Sequence, residues 1–210
     1  MRLYFARHDQ LAFVRLAGLC AALAPLLSFG LMFYAITLSP WFSWQGHALS
    51  DLGVPGRSSA PLFNASLILG AALNIPLLLA LRQWLGPRQP GPVGVAVALL
   101  GTVAMGLVGV FPASVMVPHA LSAMTYFLLL PAGYILIGVA LWRQGRRAHG
   151  LASIVTALAA YGVMLLAPHG GMAVIELLSA LLLATRSFAV GLELWLEGGS
   201  APSGGGNLLP

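Results

Sequence analysis

Long apolar runs and short polar breaks alternate along the chain, and the runs are too long for strands. They cover about 11–37, 61–82, 92–111, 119–142, 150–167 and 172–194. Roughly 18–25 apolar residues suffice for a helix to cross hydrocarbon, so the pattern predicts six transmembrane helices. The breaks "GPRQPGP", "FPASVMVP", "RQGRRAHG" and "APHGG" carry proline, glycine or dense charge, which end helices. The fold class that follows is all-α: a polytopic membrane protein built as a bundle of six helices. Residues 1–197 form one transmembrane domain, and the glycine- and serine-rich tail 198–210 is expected to be disordered and cytoplasmic.

Composition agrees. Hydrophobic residues make up 59% of the chain and charged residues 7%, against about 25% charged in soluble domains. So few charges cannot coat a water-facing surface. The net charge of +5 does not point to nucleic acid, because the arginines form no continuous stripe. The partners expected are membrane lipids, with no nucleic acid.

Charge placement sets the threading. Arg2, Arg7, Arg15, Arg82, Arg88, Arg143, Arg146, Arg147 and Arg186 fall on one side of a six-span topology, and Arg57 falls on the other. The positive-inside rule then puts both termini in the cytoplasm of a multi-pass plasma-membrane protein. Trp41 and Trp44 mark the outer boundary, and Trp84, Trp142 and Trp195 the inner one, as in an aromatic belt. The first apolar run is too long for a signal-peptide core and is expected to stay attached. Cys20, the single cysteine, excludes an intramolecular disulfide and reads as a small buried thiol.

This threading collects polar groups at the outer side. His47, Ser50 and Asp51 lie in the first outer loop, Asn64 opens span two, His119 opens span four, and His169 precedes span six. His119, Ser122 and Tyr126 recur at i, i+3 and i+7 and share one helix face, as do Glu176 and Ser179 at i, i+3. An acid within a span is costly in lipid, so Glu176 should face the bundle and needs a partner, for which the outer histidines and Arg57 are the nearest in depth. Each group also has a plainer reading. Histidines at helix ends cap or meet headgroups, Asp51 can shape the turn before "GVPG", and Asn64 can satisfy free backbone groups in the first turn. Elsewhere, Asn74 and Pro76 predict a kink, with Asn74 bonding a freed carbonyl. Gly101, Met105, Gly106 and Gly109 predict close helix packing, and Arg186 is expected to snorkel inward or pair with Glu193.

Taken in order, "LSDLG" at 49–53, "LFNASLILG" at 62–70, "GVFP" at 109–112 followed by His119, and the acid in span six resemble the domain-of-unknown-function 998 membrane family. The resemblance covers nearly the whole chain. It implies six transmembrane helices and a polar outer face built from Ser50, Asp51, Asn64, His119 and Glu176. One departure stands out: the resemblance implies an acidic–arginine pair in the last span, and here Leu177 follows Glu176.

Three functions compete on this reading. The first is a metal-dependent hydrolase of a lipid-like molecule, with His119, Asp51, Glu176 and Ser50 as catalytic candidates and His47, His119 and His169 as ligands to zinc. Three such ligands and an open position would activate water. Asn64, Ser122 and Tyr126 would bind the substrate. No tight H-x-x-x-H pair occurs, so the ligands would converge from separate segments. The second is a small-molecule, lipid or proton-coupled binding or transport protein, with Pro76 as a hinge and a homo-oligomer helping so small a bundle. The third, ranked last, is haem-based electron transfer through two outer histidines.

Overall fold

The computed structural model describes residues 2–165 and 171–197. Its helices are α1 (Arg2–Thr37), α2 (Ala60–Trp84), α3 (Gly91–Val110), α4 (Met116–Arg143), α5 (Arg147–Leu165) and α6 (Met172–Glu197), with a 3-10 turn at Leu49–Gly53 between α1 and α2. All six helices are long and apolar enough to cross a membrane, and the described residues contain no strand. The expected helices therefore stand, each with ends within a few residues of the apolar run except α1, which begins earlier. His169 and the tail 198–210 lie outside the described residues.

Local chemistry explains the boundaries. Prolines sit in the first turns of α2 and α3, where a missing N–H costs nothing. Gly86 and Gly145, just past α2 and α4, take the left-handed conformation (φ 64° and 84°), which side chains with a Cβ resist. The short connections make sequence neighbours antiparallel spatial neighbours. Each helix packs against the next, and α6 packs back on α1, so the six form a closed ring.

Glycines set how closely the ring can pack. A Cβ on Gly101 of α3 would lie 2.5 Å from the Leu130 nitrogen of α4, and one on Gly133 of α4 would lie 2.6 Å from the Ala98 nitrogen of α3. The glycine face expected on α3 in fact divides between two neighbours. Gly101 meets α4, whereas Gly106 and Gly109 meet Ala71 and the Asn64 carbonyl of α2. Leu16, Leu26, Leu100, Leu121 and Met124 are more than half exposed on the outside of the ring. So much outward apolar surface fits contact with lipid tails.

The connection between α1 and α2 folds inward. Leu49 and Leu52 of the 3-10 turn are buried with Met32, Phe63 and Ala173, so the turn plugs one end of the ring between α1, α2 and α6. This is called the loop end below. The α2–α3 and α4–α5 turns mark the opposite end.

Candidate functional site

The plug is held by a set of side chains that the sequence had marked as polar. Glu176 stands four residues into α6, about 6 Å from its start. Its Oε2 accepts the Leu49 N–H at 2.6 Å, and the Ser50 N–H adds a weaker attraction. Asp51 Oδ2 accepts the Ala48 N–H at 2.9 Å and so caps the turn that contains it. Asn64 Nδ2 donates to the Gly53 carbonyl at 3.0 Å, and Ser59 Oγ to the Leu52 carbonyl at 2.8 Å. The Ala173 N–H donates to the His47 carbonyl at 3.1 Å, so α6 grips the start of the segment while Ser59 and Asn64 hold its end. Arg57 donates to the Asp51 carbonyl and lies 3.8 Å above the Trp41 ring. A single turn carries no long hydrogen-bond ladder of its own, and these side chains supply what it lacks.

Beneath the plug, a cavity runs into the ring. Space open to the centres of water molecules amounts to about 120 Å³, and one water needs about 10–15 Å³ by that measure. Five helices line it, all except α5. Most of the wall is apolar, including Phe29, Met32, Leu77, Leu78 and Leu130. Into it are set Ser28, Ser50, Asn74, Thr102, His119, Tyr126 and Glu176, with Tyr134 and Ser187 at its floor.

Two of these groups are left over. Ser28 Oγ and Asn74 Oδ1 are buried without a hydrogen-bond partner among the described residues. Both gather around Gly70. A Cβ there would lie 2.5 Å from Ser28 Oγ, and Asn74 Nδ2 donates to the Gly70 carbonyl at 2.9 Å. Gly70 is ten residues into α2, about 15 Å from its start, so the pair sits near mid-membrane depth. Buried polar atoms in an apolar wall are costly unless something bonds to them.

The structure divides the residues expected at the site. Ser50, His119, Tyr126 and Glu176 line the cavity. Asp51 and Asn64 bond to the plug, Asp51 through the Ala48 N–H and Asn64 Nδ2 through the Gly53 carbonyl, while Asn64 Oδ1 has no partner among the described residues. Ser122 is buried but absent from the cavity wall. Ser179 turns away to α5, where it donates to the Ala160 carbonyl at 3.4 Å. Glu176 finds backbone N–H groups, not the histidines or Arg57, as its partners. Asn74 bonds the Gly70 carbonyl, not the Ala72 carbonyl that Pro76 leaves without its donor.

The two described histidines at the loop end differ. His47 Nδ1 accepts the Ser43 N–H at 3.1 Å, which occupies its lone pair, and its ring packs on Trp41 with centroids 5.2 Å apart. These contacts tie the ring to its own loop. His119 Nδ1 lies 2.8 Å from the Phe111 carbonyl. The nitrogen facing a carbonyl must carry the proton, so the neutral ring keeps its lone pair on Nε2. Among the described residues no three His, Cys, Asp or Glu side chains could hold one metal ion. His169, the third expected ligand, lies outside them.

Ser28, Thr102, Tyr134 and Ser187 were not singled out in the sequence, though helical spacing carries a signal for some. Glu176, Leu183 and Ser187 recur at i, i+7 and i+11 on α6, and His119, Tyr126 and Tyr134 at i, i+7 and i+15 on α4. Tyr134 Oη and Ser187 Oγ are 2.5 Å apart. Deeper still, Arg186 Nε donates to Ser153 Oγ at 2.9 Å and Nη2 to the His149 carbonyl at 3.3 Å. The expected direct pair with Glu193 is replaced by one between Glu193 Oε1 and His149 Nε2 at 3.3 Å.

A family model described as "Protein of unknown function (DUF998)" matches residues 22–193. No curated protein and no solved structure matches the chain.

Proposed function

The chain belongs to the domain-of-unknown-function 998 family, membership of which brings no activity with it, and we propose from its geometry that it binds a lipid-like molecule inside the ring. The observation that carries this reading is the unpartnered pair, Ser28 Oγ and Asn74 Oδ1, in a mostly apolar cavity. Such a site suits a mostly apolar ligand with one or two hydrogen-bonding groups that reach mid-membrane depth. The 3-10 turn closes the cavity at the loop end, and its clasp on Glu176 is the part that must open for exchange there. We place this end outside the cytoplasm of the plasma membrane, because the α2–α3 and α4–α5 turns carry Arg88, Arg146 and their neighbours.

The test is chemical. Protein purified in a mild detergent is extracted with organic solvent, and the co-purified molecules are identified by mass spectrometry. Ala123 lines the cavity, so Ala123→Trp fills it. The wild type should retain a defined amphiphile that the variant, matched for helicity and elution, has lost. An identical lipid complement in both would refute the reading.

One observation favours a second reading, hydrolysis of the bound molecule. His119 lines the cavity with its lone pair on Nε2, where it could act as a base or take one position on zinc. The acids that would assist are engaged by backbone N–H groups, which is why binding ranks first. Stoichiometric zinc in the purified protein, lost in His119→Ala, would reverse that ranking.

A further inference from the structure

The polar groups in the cavity wall differ in what they still need. Ser66 Oγ donates to the Phe63 carbonyl at 2.7 Å, and Thr102 Oγ1 to the Ala98 carbonyl at 2.9 Å. Tyr134 and Ser187 bond each other at the floor. His119 and Glu176, near the plug, face the Phe111 carbonyl and the Leu49 N–H. Below the plug, three groups remain: Ser28, Asn74 and Tyr126.

These three share a level. Ser28 lies nine residues before the end of α1 and Tyr126 ten residues into α4, about 14 and 15 Å from the loop end and level with Gly70. Asn74 stands one turn deeper on α2. Ser28 Oγ and Asn74 Oδ1 are buried without a partner. The Tyr126 hydroxyl, on a residue 6% exposed, forms no hydrogen bond among the described residues. A buried tyrosine hydroxyl usually finds one.

Asn74 decides which partner is missing. Its Nδ2 donates to the Gly70 carbonyl at 2.9 Å, a place an oxygen could not take, so the free atom is the amide oxygen. An amide oxygen only accepts. A ligand must therefore bring it an O–H or N–H, which an ester, an ether or a ketone lacks. The Ser28 hydroxyl can in turn donate to the ligand. Charge does not fit at this level. Among the described residues no arginine lines the cavity, and Glu176, its one carboxylate, lies near the plug. Arg186 bonds instead to Ser153 and the His149 carbonyl. An anionic head group would find no counter-charge at a depth where charge is costly.

We propose that the molecule held in the ring is an uncharged lipid alcohol, whose hydroxyl donates to Asn74 Oδ1 and accepts from Ser28 Oγ. The proposal rests on the binding reading above and adds the chemical class to it. A hydroxyl is the smallest group that donates and accepts at once, which is what this level of the wall requires.

The test uses the full chain, freed of co-purified lipid, in neutral amine-oxide micelles, which offer no O–H or N–H donor. Oleyl alcohol, its methyl ether and oleic acid are added separately, and the bound molecules are counted by native mass spectrometry. Oleyl alcohol should bind saturably and about tenfold or more tighter than the ether, which leaves the buried acceptor without a donor. Asn74→Leu should weaken the alcohol to the level of the ether and leave the ether unchanged. Ser28→Ala should weaken the alcohol several-fold, and it decides the matter if Asn74→Leu does not fold. Equal binding of alcohol and ether, a preference for oleic acid, or an alcohol preference that survives both substitutions overturns the alcohol class. The binding reading still stands in those cases if Ala123→Trp excludes the probes. Absence of binding by all three probes, or binding indifferent to Ala123→Trp, removes both.

Discussion

Replacing Glu176 by Ala tests whether the intramembrane acid is a clasp for the 3-10 turn. The Leu49 N–H lies 2.6 Å from Oε2, on a residue only 4% exposed. Truncation leaves that donor buried and unpaired, which costs about 1–3 kcal/mol. The loss is local. The turn keeps its bonds to Asn64 and Ser59, and Ala173 still donates to the His47 carbonyl. It should therefore appear as easier opening of residues 47–53, not as global unfolding. Hydrogen–deuterium exchange on a peptide covering that segment, in lipid nanodiscs, reads the effect directly. An opening free energy lowered by about 1–3 kcal/mol speeds exchange about 5- to 150-fold. Glu176→Gln retains a carbonyl acceptor and should fall between wild type and Ala. Glu193→Ala, whose partner is His149 at the opposite end, should leave the segment unchanged. Equal protection of residues 47–53 in wild type and Glu176→Ala would refute the clasp.

Three further outcomes are expected. Gly133→Val should destabilise the bundle by about 3 kcal/mol or more in thermal unfolding followed by tryptophan fluorescence, because the new Cβ would lie 2.6 Å from the Ala98 nitrogen. Gly162→Ala, with no neighbour within 4 Å among the described residues, should match or slightly exceed wild type; equal losses in the two would contradict the packing assigned to α3 and α4. Ser28→Ala removes a buried hydroxyl that has no partner, so it should stabilise the ligand-free protein by about 1 kcal/mol while reducing retention of the co-purified amphiphile. A loss of stability in that variant would show that the hydroxyl is bonded within the protein. Gly53→Ala drives a methyl into the Asn64 side chain and to within 2.9 Å of Phe63, and adding Asn64→Ala should recover part of the loss. Strict additivity in that double-mutant cycle would deny the contact.

The six crossings could be read from the sequence because each apolar run is long enough to decide its own structure. Ring closure could not, since it depends on where Gly18 and Gly191 let α1 and α6 meet. The polar residues 47–64 were legible as a cluster but not in their roles. Asp51 and Glu176 look like catalytic groups and Asn64 like a substrate-binding one in one dimension, whereas in three all of them accept or donate to the backbone of a short turn. Backbone donors are invisible in a sequence, so an acid that satisfies them seems to lack a partner. Ser28, Thr102 and Ser187 were overlooked because a hydroxyl in a helix usually bonds its own backbone, and only the ring geometry reveals which ones face the cavity. Arg186 was placed at the correct depth, but its neighbours Ser153 and His149 come from α5 and not from its own helix.

The most direct measurement is an electron cryomicroscopy structure in nanodiscs of native lipid, prepared without detergent extraction. The binding reading predicts elongated, continuous density within the ring, with a polar atom within hydrogen-bond distance of Ser28 Oγ and Asn74 Oδ1. A collapsed interior in which those two atoms bond to each other or to neighbouring helices, with no density between them, would contradict it.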